Sequence, residues 1–113
     1  MEEVVKTKEQ KIMEIEESLD VIFPSSYRQF LLERGSAVIA GYKVFGIPTK
    51  EVKTSVVEAT QTLWRLRKDI AQRKLVVISF KKALTDGKEK ALCIDTERIQ
   101  EDDAPLVEVS DIN

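Results

Sequence analysis

The stretch Leu19–Pro48, LDVIFPSSYRQFLLERGSAVIAGYKVFGIP, constrains the fold more than any other part of the chain. It reads as a short amphipathic helix that ends on a glycine and passes straight into a β-hairpin. Pro24 suits helix entry, because its fixed φ is already near the helical value. The hydroxyls of Ser25 and Ser26 are N-cap candidates beside it. Tyr27, Phe30, Leu31 and Arg34 follow at i, i+3, i+4 and i+7, so three apolar side chains share one face. Gly35 then stands where a helix stops most cheaply in a left-handed residue. Beyond it, Ala37–Ala40 and Tyr42–Phe45 read as two strands turning at Gly41. Val38 with Ala40, and Tyr42 with Val44, fall on common faces, and Gly46-Ile47-Pro48 ends the hairpin.

A helix tied this closely to a hairpin needs further elements to close its core. Residues 6–18 supply a first helix, with Val5, Ile12, Ile15 and Leu19 near one stripe and Glu9, Glu14, Glu16 and Glu17 on a wet face. Asp20 and Pro24 break it. After a polar connection over 49–54, Ser55-Val56-Val57-Glu58 matches a capping box. It opens a third helix over about 55–70 with Val56, Ala59, Leu63, Leu66 and Ile70 as its core stripe. Trp64 lies beside that stripe, at the edge of the core or as an anchor for a partner. Arg65, Arg67 and Lys68 take the wet side. Leu75–Phe80, LVVISF, has the continuous apolar character of an inner strand. Asp86-Gly87 marks a tight turn within the polar connection Lys81–Lys90. Ala91–Ile94 returns as its partner, with Cys93 a small core residue. An acidic loop over 96–105 leads to a last strand, Leu106–Val109, whose Pro105 suits a sheet edge. The order is ααββαβββ, an α+β single domain of mainly antiparallel sheet with about three helices.

Composition narrows the function by exclusion. Hydrophobic residues make up 42% and charged residues 34% of the 113, as in a globular soluble domain. The charged N-terminus has no apolar signal region, and no apolar run is long enough for a membrane span. A single cysteine cannot pair internally, so a reducing, cytoplasmic setting is expected. Histidine is absent, which removes the commonest general base and metal ligand. No glycine-rich phosphate loop and no serine or cysteine nucleophile motif occurs. The residues therefore imply no enzyme, no metal, no cofactor and no catalytic group. A carboxylate pair such as Asp95 with Glu97 is more simply one wet face of a strand.

Charge is unevenly spread. Residues 61–90 carry 9 basic and 3 acidic groups, whereas residues 91–113 carry 1 and 7. The basic stretch, with Trp64 and Phe80 for stacking, raises direct nucleic-acid binding as a question. The overall isoelectric point near 5.3 and the lack of a recurring nucleic-acid motif argue against it.

The ordered residues resemble a known family. Ile15-Glu16-Glu17-Ser18-Leu19, then Phe23-Pro24-Ser25-Ser26-Tyr27-Arg28-Gln29-Phe30-Leu31-Leu32, then Gly35, look like the opening of the SUKH superfamily, the Smi/Knr cell-wall-assembly regulators and many bacterial immunity proteins. Ile39-Ala40-Gly41-Tyr42, Phe45-Gly46, Ser55-Val56-Val57, Leu75-Val76-Val77-Ile78, Cys93-Ile94-Asp95-Thr96 and Pro105-Leu106-Val107-Glu108 follow in the family's order. The resemblance spans about residues 12–109 and is nearest to the YobK-type immunity proteins of Gram-positive bacteria.

The resemblance implies a non-enzymatic protein. Such a protein binds a cognate polymorphic toxin, often a nuclease, in the cytoplasm and neutralises it; the alternative is a regulatory or interaction module of the Smi/Knr kind. For a nuclease toxin, Asp95, Glu97, Glu101, Asp102 and Asp103 would stand in for phosphate in its basic cleft, and Trp64 is a further partner-binding candidate. Family members usually continue into a terminal helix. Here the sequence ends at Asn113, so either this is a short member or a partner or second copy covers the surface left bare, and an uncovered face or edge would invite a homodimer.

Overall fold

A computed structural model describes residues 7–82, 88–100, 103–110 and 112. Its elements run α1 (Lys8–Leu19), α2 (Ser25–Glu33), β1 (Ala37–Ile39), β2 (Tyr42–Val44), α3 (Val56–Leu66), α4 (Lys68–Gln72), β3 (Leu75–Lys82), β4 (Glu89–Asp95) and β5 (Leu106–Val109). A short 3₁₀ turn, Thr96–Arg98, follows β4. The strands form one sheet in the order β1-β2-β3-β4-β5, each antiparallel to its neighbour. The α+β class and the order of elements stand as read from the sequence, with one helix divided in two.

That division falls at Arg67, whose backbone is extended at φ −130° and ψ 96°. The residue is held there by its own side chain. Nε and Nη2 reach the two carboxylate oxygens of Asp69 at 3.0 and 2.9 Å, and Nη1 reaches the Ser110 carbonyl at 2.9 Å. The break turns the chain so that Ile70 on α4 is buried while Leu66 is left 67% exposed. Leu66 is therefore not part of the core stripe, contrary to its spacing.

Helix starts also differ from expectation. Thr7 caps α1 through a full capping box: its hydroxyl accepts from Gln10 N–H, and Gln10 Oε1 accepts from Thr7 N–H. At α2 the capping residue is Pro24, with no side-chain cap bond. Ser26 Oγ donates instead to Asp103 Oδ1 at 2.9 Å. Ser55 does cap α3, accepting from Glu58 N–H at 3.1 Å. Gly35 has φ +75° as the end of α2 demands, and Ala40-Gly41, at φ +51° and +83°, make the tight turn between β1 and β2.

The strands reach further than expected, β3 to Lys82 and β4 from Glu89. The turn at Asp86-Gly87 lies outside the described residues, as does Val5. A bulge at Ile78 shifts the β3–β4 register. Next to it, Val77 N–H donates to the buried Thr60 hydroxyl of α3 at 2.9 Å. This bond fastens α3 to the sheet. One core joins α1, α2, α3 and α4 to the sheet through residues such as Leu19, Leu31, Val56, Leu75, Val77 and Cys93.

Candidate functional site

The acidic residues gather where β4 ends and β5 begins. Asp95 closes β4 and is only 4% exposed. Oδ1 accepts the N–H of Glu97 at 3.2 Å, which starts the 3₁₀ turn. Oδ2 faces Arg73 at 3.7 Å and Arg98 at 3.6 Å. Asp95 is thus a buried organiser of the loop. Glu97 is exposed. Asp103 is exposed too, and its Oδ1 accepts from Ser26 Oγ and from Ala104 N–H, each at 2.9 Å. Gln100 and Asp103 exchange paired backbone bonds of 2.8 and 3.1 Å. Glu101 and Asp102 lie outside the described residues.

Trp64 is half-buried on α3, and its indole N–H donates to the Leu75 carbonyl at 2.8 Å. Its polar end is therefore spent within the fold, and the ring packs against the core. The structure brings Asp95, Glu97 and Asp103 to one end of the sheet, and Trp64 reaches that end from α3 through Leu75, the register partner of Asp95.

Two depressions open at this end. The larger is a cleft of about 730 Å³ lined by Met13, Glu16, Glu17, Asp20, Ile22, Arg28, Lys74 and Glu97, among others. Glu16 does double duty in it. Oε2 accepts Phe23 N–H at 2.8 Å, and Oε1 meets Arg28 Nη2 at 2.7 Å. Across the cleft, Lys74 Nζ reaches the Asp20 carboxylate at 2.6 Å and the Asp20 carbonyl at 2.9 Å. The Lys74 hydrogen bond and charge hold the Asp20 carboxyl below the usual carboxylate range. Asp20 and Lys74 are both left-handed, with φ +53° and +51°, a conformation non-glycine residues adopt only when their surroundings hold them there.

The smaller depression, about 270 Å³, is apolar. Pro24, Tyr27 and Phe30 form one wall, and Ile39, Val44, Ile78, Ile94 and Leu106 of the sheet form the floor and the other side. Asp103 stands at its rim. The buried Tyr27 hydroxyl donates to the Phe45 carbonyl at 2.5 Å, and burial raises its pKa above the usual phenol range.

Glu16, Asp20, Arg28 and Lys74 were not site candidates from sequence. Their pairings join residues 12 and 54 positions apart, and no local pattern records such pairs. Among the described residues, no group of histidine, cysteine or carboxylate side chains is placed to hold a metal ion, and no helix is long and apolar enough to cross a membrane. Cys93 is buried, with its thiol pushed up to about 12 by desolvation, so it is no activated nucleophile.

The chain is an α+β domain whose five-stranded sheet ends in a carboxylate-bearing loop beside two depressions. The chain belongs to the SUKH family of SMI1-KNR4 cell-wall proteins, whose model matches residues 1–110. Among curated proteins none matches it.

Proposed function

We propose that this chain is an immunity protein of the YobK type, which binds a cognate polymorphic toxin in the cytoplasm and neutralises it by covering the toxin's working surface. Membership of the SUKH family over nearly the whole chain carries this reading. The acidic end of the sheet supports it, because a nuclease toxin must offer a basic cleft to phosphate. Glu97 and Asp103, exposed on a loop that Asp95 anchors from inside, are suited to enter such a cleft; Glu101 and Asp102 belong to the same run. Mimicry of this kind acts mainly on encounter rate and on choice of partner.

A second reading, a regulatory interaction module without a toxin, follows from the cell-wall proteins in the family description. Co-expression with toxin domains encoded beside the gene separates the two. Survival of the cells together with a stable 1:1 complex on purification is the result expected of an immunity protein. Death with every neighbouring toxin domain would leave the regulatory module as the better account.

A further inference from the structure

Ile22 is 74% exposed between two neighbours, Val21 and Phe23, that are almost wholly buried. It projects into the acidic cleft, and Met13 of α1, 55% exposed, lies in the same lining. Single exposed apolar residues are ordinary. Two of them in one concave site, framed by unpaired charge, form a different feature.

The segment that carries Ile22 is fixed from both sides. Val21 N–H donates to the Glu16 carbonyl at 3.0 Å, and Phe23 N–H donates to the Glu16 carboxylate. Lys74 holds the Asp20 backbone and side chain. A side chain displayed on a pinned loop loses little further freedom when a partner closes over it. The charges around it are sorted as well. Arg28 is taken by Glu16 and Lys74 by Asp20, while Arg73 and Arg98 face Asp95. The Glu17 and Glu97 carboxylates, by contrast, have no cation within ion-pair distance among the described residues.

We infer that Ile22 is the anchor of the partner interface and that the partner is a protein presenting an apolar pocket ringed by lysine or arginine. Ile22, with Met13 beside it, fills the pocket; Glu17 and Glu97 receive the basic rim. An apolar centre inside a polar rim is the common anatomy of a protein interface. The inference rests on the protein-binding part of the reading above and not on the partner's being a toxin.

The test is site-specific photo-cross-linking in the cell that makes the protein. A benzophenone amino acid replaces Ile22, or Val38 as an exposed apolar control on β1. The cross-linked partner is identified by mass spectrometry, purified, and its affinity measured for the natural chain, Ile22→Ala and Glu17→Lys/Glu97→Lys. The expected result is an adduct from position 22 to a basic segment of another protein, with Ile22→Ala weakening binding tenfold or more. Glu17→Lys/Glu97→Lys is expected to slow association and flatten its salt dependence. No adduct from position 22, an adduct there only to a second copy of this chain, or an Ile22→Ala affinity within twofold of the natural chain would overturn the inference. A partner that meets the affinity criteria but is not a toxin would uphold it and remove the immunity reading.

Discussion

Gly46 leaves no room for a side chain. A methyl group there would run into the Gly35 carbonyl oxygen and come within 2.5 Å of Leu31 Cδ2. Both neighbours are fixed, the first because Gly35 O also accepts Ile47 N–H at 3.0 Å. Gly46→Ala is expected to cost roughly 4 kcal/mol, at the severe end for a point substitution. Gly41 has open space around it but φ +83°, so Gly41→Ala should cost only about 1–2 kcal/mol from backbone strain. Urea unfolding of the two variants checks the order, and equal losses would mean that crowding at Gly46 is relieved by movement. The buried Cys93 and Tyr27 give the residue scale a pH signature. Both hold their protons in the fold beyond the range where the unfolded chain releases them, so their contribution to stability is complete below about pH 8.5. Above that, the unfolded chain binds fewer protons than the folded one, and stability falls towards pH 12. Urea midpoints between pH 7 and 11 should decline, and Cys93→Val should flatten part of the decline.

The elements depend on each other through a few polar bonds, of which Thr60 to Val77 is the most exposed to test. The Thr60 hydroxyl is fully buried and accepts the N–H beside the β3 bulge. Thr60→Val keeps the shape and strands that donor, so a loss of about 1–3 kcal/mol is expected. Thr60→Ser retains the acceptor and should cost less, and a serine variant as unstable as the valine one would assign the effect to packing alone. The same scale explains what the sequence made legible. Periodicity located α1, α2, the start of α3 and every strand, because each depends on apolar spacing within one segment. It misplaced the end of α3, because Leu66 and Ile70 fit one stripe, whereas the break depends on Arg67, which holds the neighbouring Asp69 and the distant Ser110 carbonyl. Likewise the run of carboxylates beyond β4 could be read as a surface, but not that Asp95 would lie buried between Arg73 and Arg98. The cleft itself, made by Glu16 with Arg28 and Asp20 with Lys74, has no signature shorter than the fold.

At the scale of the molecule, the sheet sorts charge along its strands. Lys81, Lys82, Lys88 and Lys90 lie at the β3–β4 end, with Lys81 directly opposite Lys90 and partly relieved by Glu108 at 3.4 Å. Asp95, Glu97 and Asp103 lie at the other end. The seven residues of β4 separate the two by roughly 20 Å, about two Debye lengths at physiological salt. Each end therefore presents its own field to an approaching partner, although the net charge is only −2. If the acidic end meets a basic toxin, association should slow by about tenfold or more between low and high salt. Glu101→Lys/Asp102→Lys/Asp103→Lys should remove most of that dependence and lower the thermal melt only slightly, through the two exposed bonds that Asp103 gives up. Lys81→Glu/Lys82→Glu, at the far end, should change the rate by less than about twofold. Stopped-flow association with the toxin domain selected by the survival assay measures all three. Equal effects from the two ends would mean that the partner senses net charge rather than the acidic end, and a triple variant with unchanged rate would take the loop over 101–103 out of the encounter.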